Sequence, residues 1–172
     1  MTYSTALKMV RQFGAKELAE VAAPKDRALL PDTVLRKHVN GESITDEDPD
    51  VQLAAAEAVA RIENAIAEAE GIADAYIGSG GYTTPLSTVP EYISGAVEDI
   101  ARWLLHKENP SEAVIERNRQ ARAMLDRVAS GKMLIVEADG DTAAQSSSSR
   151  IAVSGPDEVF TESVLGSFMG RL

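Results

Sequence analysis

Residues 73–106 read ADAYIGSGGYTTPLSTVPEYISGAVEDIARWLLH. The pattern is the end of one amphipathic helix, an elbow rich in Gly and Pro, and a second amphipathic helix, each with an apolar face that needs the other as cover. Gly78, Gly80 and Gly81 are permissive, and Pro85 and Pro90 interrupt helical hydrogen bonding, so the elbow cannot continue either helix. Tyr82, Leu86 and Val89 are the side chains expected to pin it to the body.

Upstream, Val51, Ala55, Ala58, Ile62, Ala65, Ala69, Ile72 and Tyr76 recur at alternating steps of four and three, and Val59 and Ile66 widen the seam. A helix from Val51 to Ile77 is about 40 Å long, more than the core of so small a domain requires. Two readings stand: Ala55, Ala58, Ile62, Ala65, Ala69 and Tyr76 pack against a neighbouring subunit, or the helix is a plain core helix of a monomeric bundle.

Downstream, Pro90 opens a helix whose Ile93, Ala96, Val97, Ile100, Ala101, Leu104 and Leu105 form a broad apolar face. Glu98 and Arg102 stand four apart in the order that favours an ion pair. Asn109-Pro110-Ser111 breaks the chain, and Ser111 caps a third helix from Glu112 to Ser130, stopped by Gly131. Asn118 lies in its apolar seam, where a buried hydrogen bond is the simplest role. Lys132 to Ala138 changes to an apolar, β-branched run and reads as one short strand.

Before the long helix, Ser4 or Thr5 caps a short helix ending at Gly14, and a second short helix covers Ala15 to Ala22. Residues 23–50 read as an irregular, partly ordered excursion with one helical turn near Val34 to Val39. At the other end, residues 139–150 form a serine-rich linker by composition. Residues 151–172 regain apolar anchors, Val159, Phe160, Leu165, Phe168 and Met169, as a segment built to dock on a partner or back on its own body. The expected architecture is therefore mostly α: a small helical bundle over residues 1–138 with one long helix and one short strand, followed by an extended C-terminal tail.

The composition removes several classes of function. A formal charge of −10 over 172 residues lacks the clustered cations that neutralise nucleic-acid phosphate, although acidic walls suit a channel through which DNA must slide. The absence of cysteine rules out disulfides, zinc thiolates and thiol catalysis. No basic start followed by an apolar run and no membrane-length apolar stretch occur, so a soluble protein made without a signal is expected.

Candidate sites also fall away on their spacing. Asp46, Asp48, Asp50 and Glu57 match the ligand spacing of a calcium loop, but Pro49 and Val51 replace the residues that allow its turn. His38 and His106 lack metal-site spacing, and His106 at a helix end is explained by favourable charge placement. The elbow glycines follow a helix rather than a strand, against a nucleotide fingerprint; no G-x-S-x-G occurs, and Ser130-Gly131-Lys132 lacks the upstream glycine of a P-loop. No catalytic residue, cofactor or metal is expected, and the chain reads as no enzyme.

The order of Tyr76-Ile77, Tyr82, Pro85-Leu86, Val89-Pro90 and Asp99-Ile100-Ala101-Arg102-Trp103, joined by Phe13-Gly14, Gly131-Lys132 and Val159-Phe160-Thr161, resembles the head-completion (head-tail adaptor) proteins of Mu-like phages and prophages. The resemblance implies an adaptor that forms a ring of about twelve copies beneath the portal protein. Such a ring extends the channel for double-stranded DNA without binding it specifically, and receives a stopper or tail-terminator protein. It implies a place in the virion neck after assembly in the bacterial host cytoplasm, with no membrane partner. The C-terminal segment carrying Val159, Phe160, Leu165, Phe168 and Met169 would insert against the portal. Two features depart from the pattern: the excursion from Pro24 to Pro49 is long, and Glu162 stands where a more basic residue is expected. Outside the resemblance, a DNA-binding packaging or regulatory module would need a basic recognition helix, and a small helical ligand-binding protein would need a deep pocket.

Overall fold

The computed structural model describes residues 2–106 and 109–136, which form six helices in the order α1 (Ala6–Phe13), α2 (Ala15–Ala22), α3 (Asp32–Val39), α4 (Pro49–Ser79), α5 (Glu91–Leu105) and α6 (Glu112–Ala129). The mostly α architecture follows from strong local punctuation. Thr5 caps α1 by accepting from the Lys8 amide, Asp48 caps α4 through the Asp50 amide, and Ser111 caps α6 through the Val114 amide. Gly14, at φ +89°, ends α1 and begins α2 in one residue, a conformation that favours glycine.

At 31 residues, α4 runs about 46 Å and is the axis of the molecule. Its C-terminal part, α5 and α6 pack as a three-helix body, and α1, α2 and α3 pack on one another and on α4. Ala54, Ala55, Ala58, Ala69 and Ala73 are fully buried along α4, so the core is filled by its neighbours' larger side chains, among them Leu18, Leu35, Ile93, Ile100 and Leu125. Alanine on the inner face lets those helices approach the α4 backbone closely.

The elbow is folded inward, as its anchors imply. Tyr82 and Leu86 are buried, Val89 packs against the core, and the Thr84–Pro85 peptide bond is cis. Gly80 serves a contact rather than a turn: a Cβ there would lie 2.7 Å from the Val128 carbonyl oxygen, so the end of α4 touches the backbone at the end of α6 only because the side chain is missing.

Three expectations are corrected. The short strand over Lys132–Ala138 is not formed as far as Val136, because the elbow opposite it is broken by Gly and Pro and offers no ladder. Tyr82 and Val136 make an isolated bridge, and the Ile135 amide donates to the Tyr82 hydroxyl at 3.1 Å; Glu137 and Ala138 lie outside the described residues. The excursion is more ordered than a single turn, since Leu30, Val34, Leu35 and Ile44 bury themselves and α3 forms two full turns. Glu98 and Arg102 do not pair. Glu98 points into the core and Arg102 reaches α2, because tertiary partners outweigh a local pair worth a few tenths of a kcal/mol. The linker over 139–150 and the segment over 151–172 lie outside the described residues.

The inner face of α4 has a direct test. Ala58→Leu, at a fully buried position, should cost about 1–3 kcal/mol, and Ala60→Leu, on the opposite face, should stay within about 0.5 kcal/mol, both by urea unfolding.

Candidate interaction surface

The N-terminal segment is sewn into the body by buried polar groups. The Tyr3 hydroxyl donates to Asp74 of α4 and accepts from the Leu86 amide at 3.0 Å, and the Tyr3 amide donates to Glu70. Burial, reinforced by the Asp74 carboxylate, pushes the Tyr3 phenol well above its ordinary range, while the Leu86 amide opposes the shift. One hydroxyl therefore joins the first residues, the C-terminal part of α4 and the elbow.

Beside it, Glu98 of α5 is wholly buried. Its Oε1 accepts from the Ser4 hydroxyl at 2.9 Å and lies 3.5 Å from the Lys8 ammonium, while its Oε2 has no hydrogen-bond partner. The Ser94 hydroxyl accepts from Lys8 at 2.7 Å and gives its single hydrogen to the Tyr3 carbonyl at 2.7 Å, which leaves its 3.2 Å approach to Glu98 as the alternative geometry. Lys8 also meets the exposed Glu91 at 3.1 Å. This cluster fixes α1 against α5 and leaves Glu98 Oε2 as its one buried polar atom without a partner.

A second cluster joins α2 to the end of α5. Arg102 donates to both oxygens of Glu17 at 2.6 and 2.8 Å and stacks over the Phe13 ring, 4.7 Å from its centroid. His106 lies 2.9 Å from the same carboxylate. Burial alone would raise the Glu17 carboxyl, but the hydrogen bonds and charges of Arg102 and His106 outweigh it and hold the group below its ordinary range. One turn before Arg102 on α5, Asp99 is held above its ordinary range by burial, which Arg117 at 3.7 Å and Arg102 offset only in part.

Between α2, α4 and the end of α5 lies an open groove of about 460 Å³, floored by Val21, Ala65, Leu104 and Leu105 and edged by Glu20, Arg61 and Glu68. Arg61 is fixed there by donating to the Ala23 carbonyl at 3.1 Å. The apolar side chains left in water are elsewhere: Leu29 in the α2–α3 loop, Leu53 on α4, Ile115 on α6, and Leu134 and Val136 after it. Leu29, 91% exposed, sits on a loop held by Arg27 to Glu57 at 2.6 Å and by the Ala28 amide to Asp50 at 2.9 Å.

Three of the four carboxylates with calcium-loop spacing are engaged elsewhere. Asp48 caps α4, while Asp50 and Glu57 receive Arg27, and no group of three or more His, Asp or Glu side chains among the described residues is arranged around a common point as metal ligands. The seam Ala55, Ala58, Ile62, Ala65 and Ala69 is buried inside the chain itself and Tyr76 is partly buried against the same core, so that face of α4 is covered by helices of its own chain. Val159, Phe160, Leu165, Phe168 and Met169 lie outside the described residues. Sequence reasoning missed both polar clusters; the one available signal was a glutamate at position 98 inside an otherwise apolar face.

With the geometry in place, the comparisons give a consistent result. The sequence model of the family described as Bacteriophage Mu, Gp36 matches residues 3–153. The chain is also similar to the Mu-like prophage FluMu protein gp36 of Haemophilus influenzae, 30% identical over 87 residues, which is 51% of this chain and 61% of that relative.

Arg102 and Glu17 are only 17% and 26% exposed, so their contact should be measurable. Arg102→Ala should cost about 2–3 kcal/mol, since it strands a charged partner. Glu17, with its folded pKa lowered, adds stability at pH above its ordinary 4.5 and loses it as pH falls through the lower folded value. Glu17→Gln should therefore be less stable at neutral pH but fall less steeply on acidification, as read by urea unfolding at about pH 7 and about pH 3.

Proposed function

We propose that this chain, which belongs to the Bacteriophage Mu Gp36 family, is a structural protein of the virion that joins head to tail. In this reading it forms a ring below the portal protein, extends the DNA channel, and presents its far side to a stopper or tail-terminator protein. The observation that carries the reading is the family match over residues 3–153. The chain spans 61% of the length of the prophage relative it matches, and the ring, the portal and the neck position are proposals.

The physical features support it in three ways. A rigid helical body with a 31-residue axis and outward faces on both α4 and α6 is suited to lateral packing in a cycle, where heterologous contacts close on themselves. A net charge of −10 lets DNA pass a lumen without adhering to it. Among the described residues no helix is long and apolar enough to cross a membrane. The polar clusters tie side chains to one another and to backbone, which is the work of a scaffold, and we assign the chain no reaction.

The C-terminal segment is the proposed portal anchor. Many weak contacts by Val159, Phe160, Leu165, Phe168 and Met169, repeated around a ring of about twelve copies, add to firm attachment by avidity. Deleting residues 157–172 should leave the helical body folded by circular dichroism and abolish co-sedimentation with portal rings. Native mass spectrometry of the full chain with its portal should give a stoichiometric ring; a monomer that ignores portal particles would overturn the adaptor reading.

A further inference from the structure

A chain of net charge −10 keeps three cations together, without counter-charges, on its N-terminal helices. Where α1, α2 and α3 meet, an open pocket of about 500 Å³ is lined by the apolar Leu7, Val10 and Ala15. Arg11 of α1, Lys16 of α2 and Arg36 of α3 stand around it, with Asp32 as its one carboxylate. All four charged residues are exposed, and among the described residues none of their side chains has an ion-pair or hydrogen-bond partner.

Arg11 and Arg36 lie in the last turns of their helices, where the helix dipole accommodates a cation. Lys16 lacks that explanation. It sits in the first turn of α2, at the positive end of the dipole, and Gly14 gives that end no side-chain cap. Three like charges around an apolar recess, one of them at the unfavourable end of its helix, suit a ligand that brings carboxylates and apolar side chains together.

Residues 157–162 have that chemistry. They read Asp-Glu-Val-Phe-Thr-Glu, three carboxylates around Val159 and Phe160. The groove between α2, α4 and α5 sets Glu20 and Glu68 beside Lys25 and Arg61, and so has no net attraction for such a segment. Nucleic-acid phosphate is the poorer fit to the basic pocket, because a phosphate backbone brings no apolar group to Leu7 and Val10. The reach suffices. The described chain ends at Val136, next to Ile135 on Tyr82 of the elbow, and Tyr3 meets Leu86 of the same elbow just before α1 begins. Helix α1 is about 12 Å long, and the twenty residues between Val136 and Asp157 span roughly 25 Å as a coil.

We propose that residues 157–162 dock in this pocket of their own chain, carboxylates towards Arg11, Lys16 and Arg36, and Val159 and Phe160 towards Leu7 and Val10. The docking goes beyond the adaptor reading and stands without it; under that reading, two of the side chains assigned to the portal are covered until the portal displaces them.

Thr161→Cys places a nitroxide label on the otherwise cysteine-free full chain, and the amide signals it broadens are read by NMR. The expected result is strong broadening over residues 7–16 and 32–40 at low salt, at least halved at about 0.5 M salt. Arg11→Glu with Arg36→Glu should remove the broadening, and adding Asp157→Lys with Glu158→Lys should restore it. Broadening centred instead on Val21, Ala65 and Leu104, or none at all, would overturn the proposal. Broadening of equal strength with label and isotope on different copies would overturn it in favour of a neighbour's pocket. An unbroadened pocket whose signals shift on adding a short DNA duplex would overturn it in favour of a phosphate site. None of these readouts involves the portal, so the adaptor reading stands or falls separately, on co-sedimentation.

Discussion

Everything in this fold answers to one constraint, a long helix whose inner face is made of alanine. The α4 seam cannot fill a core with its own side chains, so it imports them: Leu18 from α2, Leu35 from α3, Ile93 and Ile100 from α5, and Leu125 from α6. Close approach of five helices to one backbone follows, and with it the need for an elbow that turns the chain sharply at the end of α4. Gly80, with no room for a Cβ under the Val128 carbonyl, is where that closeness is most exacting.

Close packing also explains the buried polar groups. Tyr3, Glu70, Asp74, Ser94 and Glu98 come together where the first residues cross α4 and α5, and the hydroxyl of Tyr3 ties that crossing to the elbow through the Leu86 amide. A carboxylate as deep as Glu98 is tolerable because Ser4 and Lys8 reach it, and removing either leaves a buried charge short of partners. The termini of α2 and α5 are locked by Glu17 and Arg102 in the same manner but nearer to solvent. These contacts tie the N-terminal helices to α4 and α5 in one body.

Much of this was legible in the residues. Gly14, Thr5, Ser111 and the apolar spacing of α4 and α5 act within a turn or two of themselves, so their reading survives contact with the structure. What escaped is long-range. Glu98 looks like half of a helix-surface pair until Ser4, 94 residues away, is found beside it. The run after Gly131 looks like a strand until the elbow opposite proves to have no ladder to offer. The α4 seam is correctly apolar, but its spacing alone could not say whether the cover comes from the same chain, and the first 39 residues together with α5 and α6 supply it. The excursion carried its anchors, Leu30, Val34 and Leu35, in plain view among turn residues that masked them.

A protein with the proposed function lies in the neck of a phage particle, and the neck can be seen directly. Cryo-electron microscopy of particles in which this chain carries an N-terminal tag should show the six-helix body, identified by its tag density, repeated around the channel immediately below the portal. The same body found in the capsid shell or at the tail tip, or particles lacking it altogether, would contradict the account.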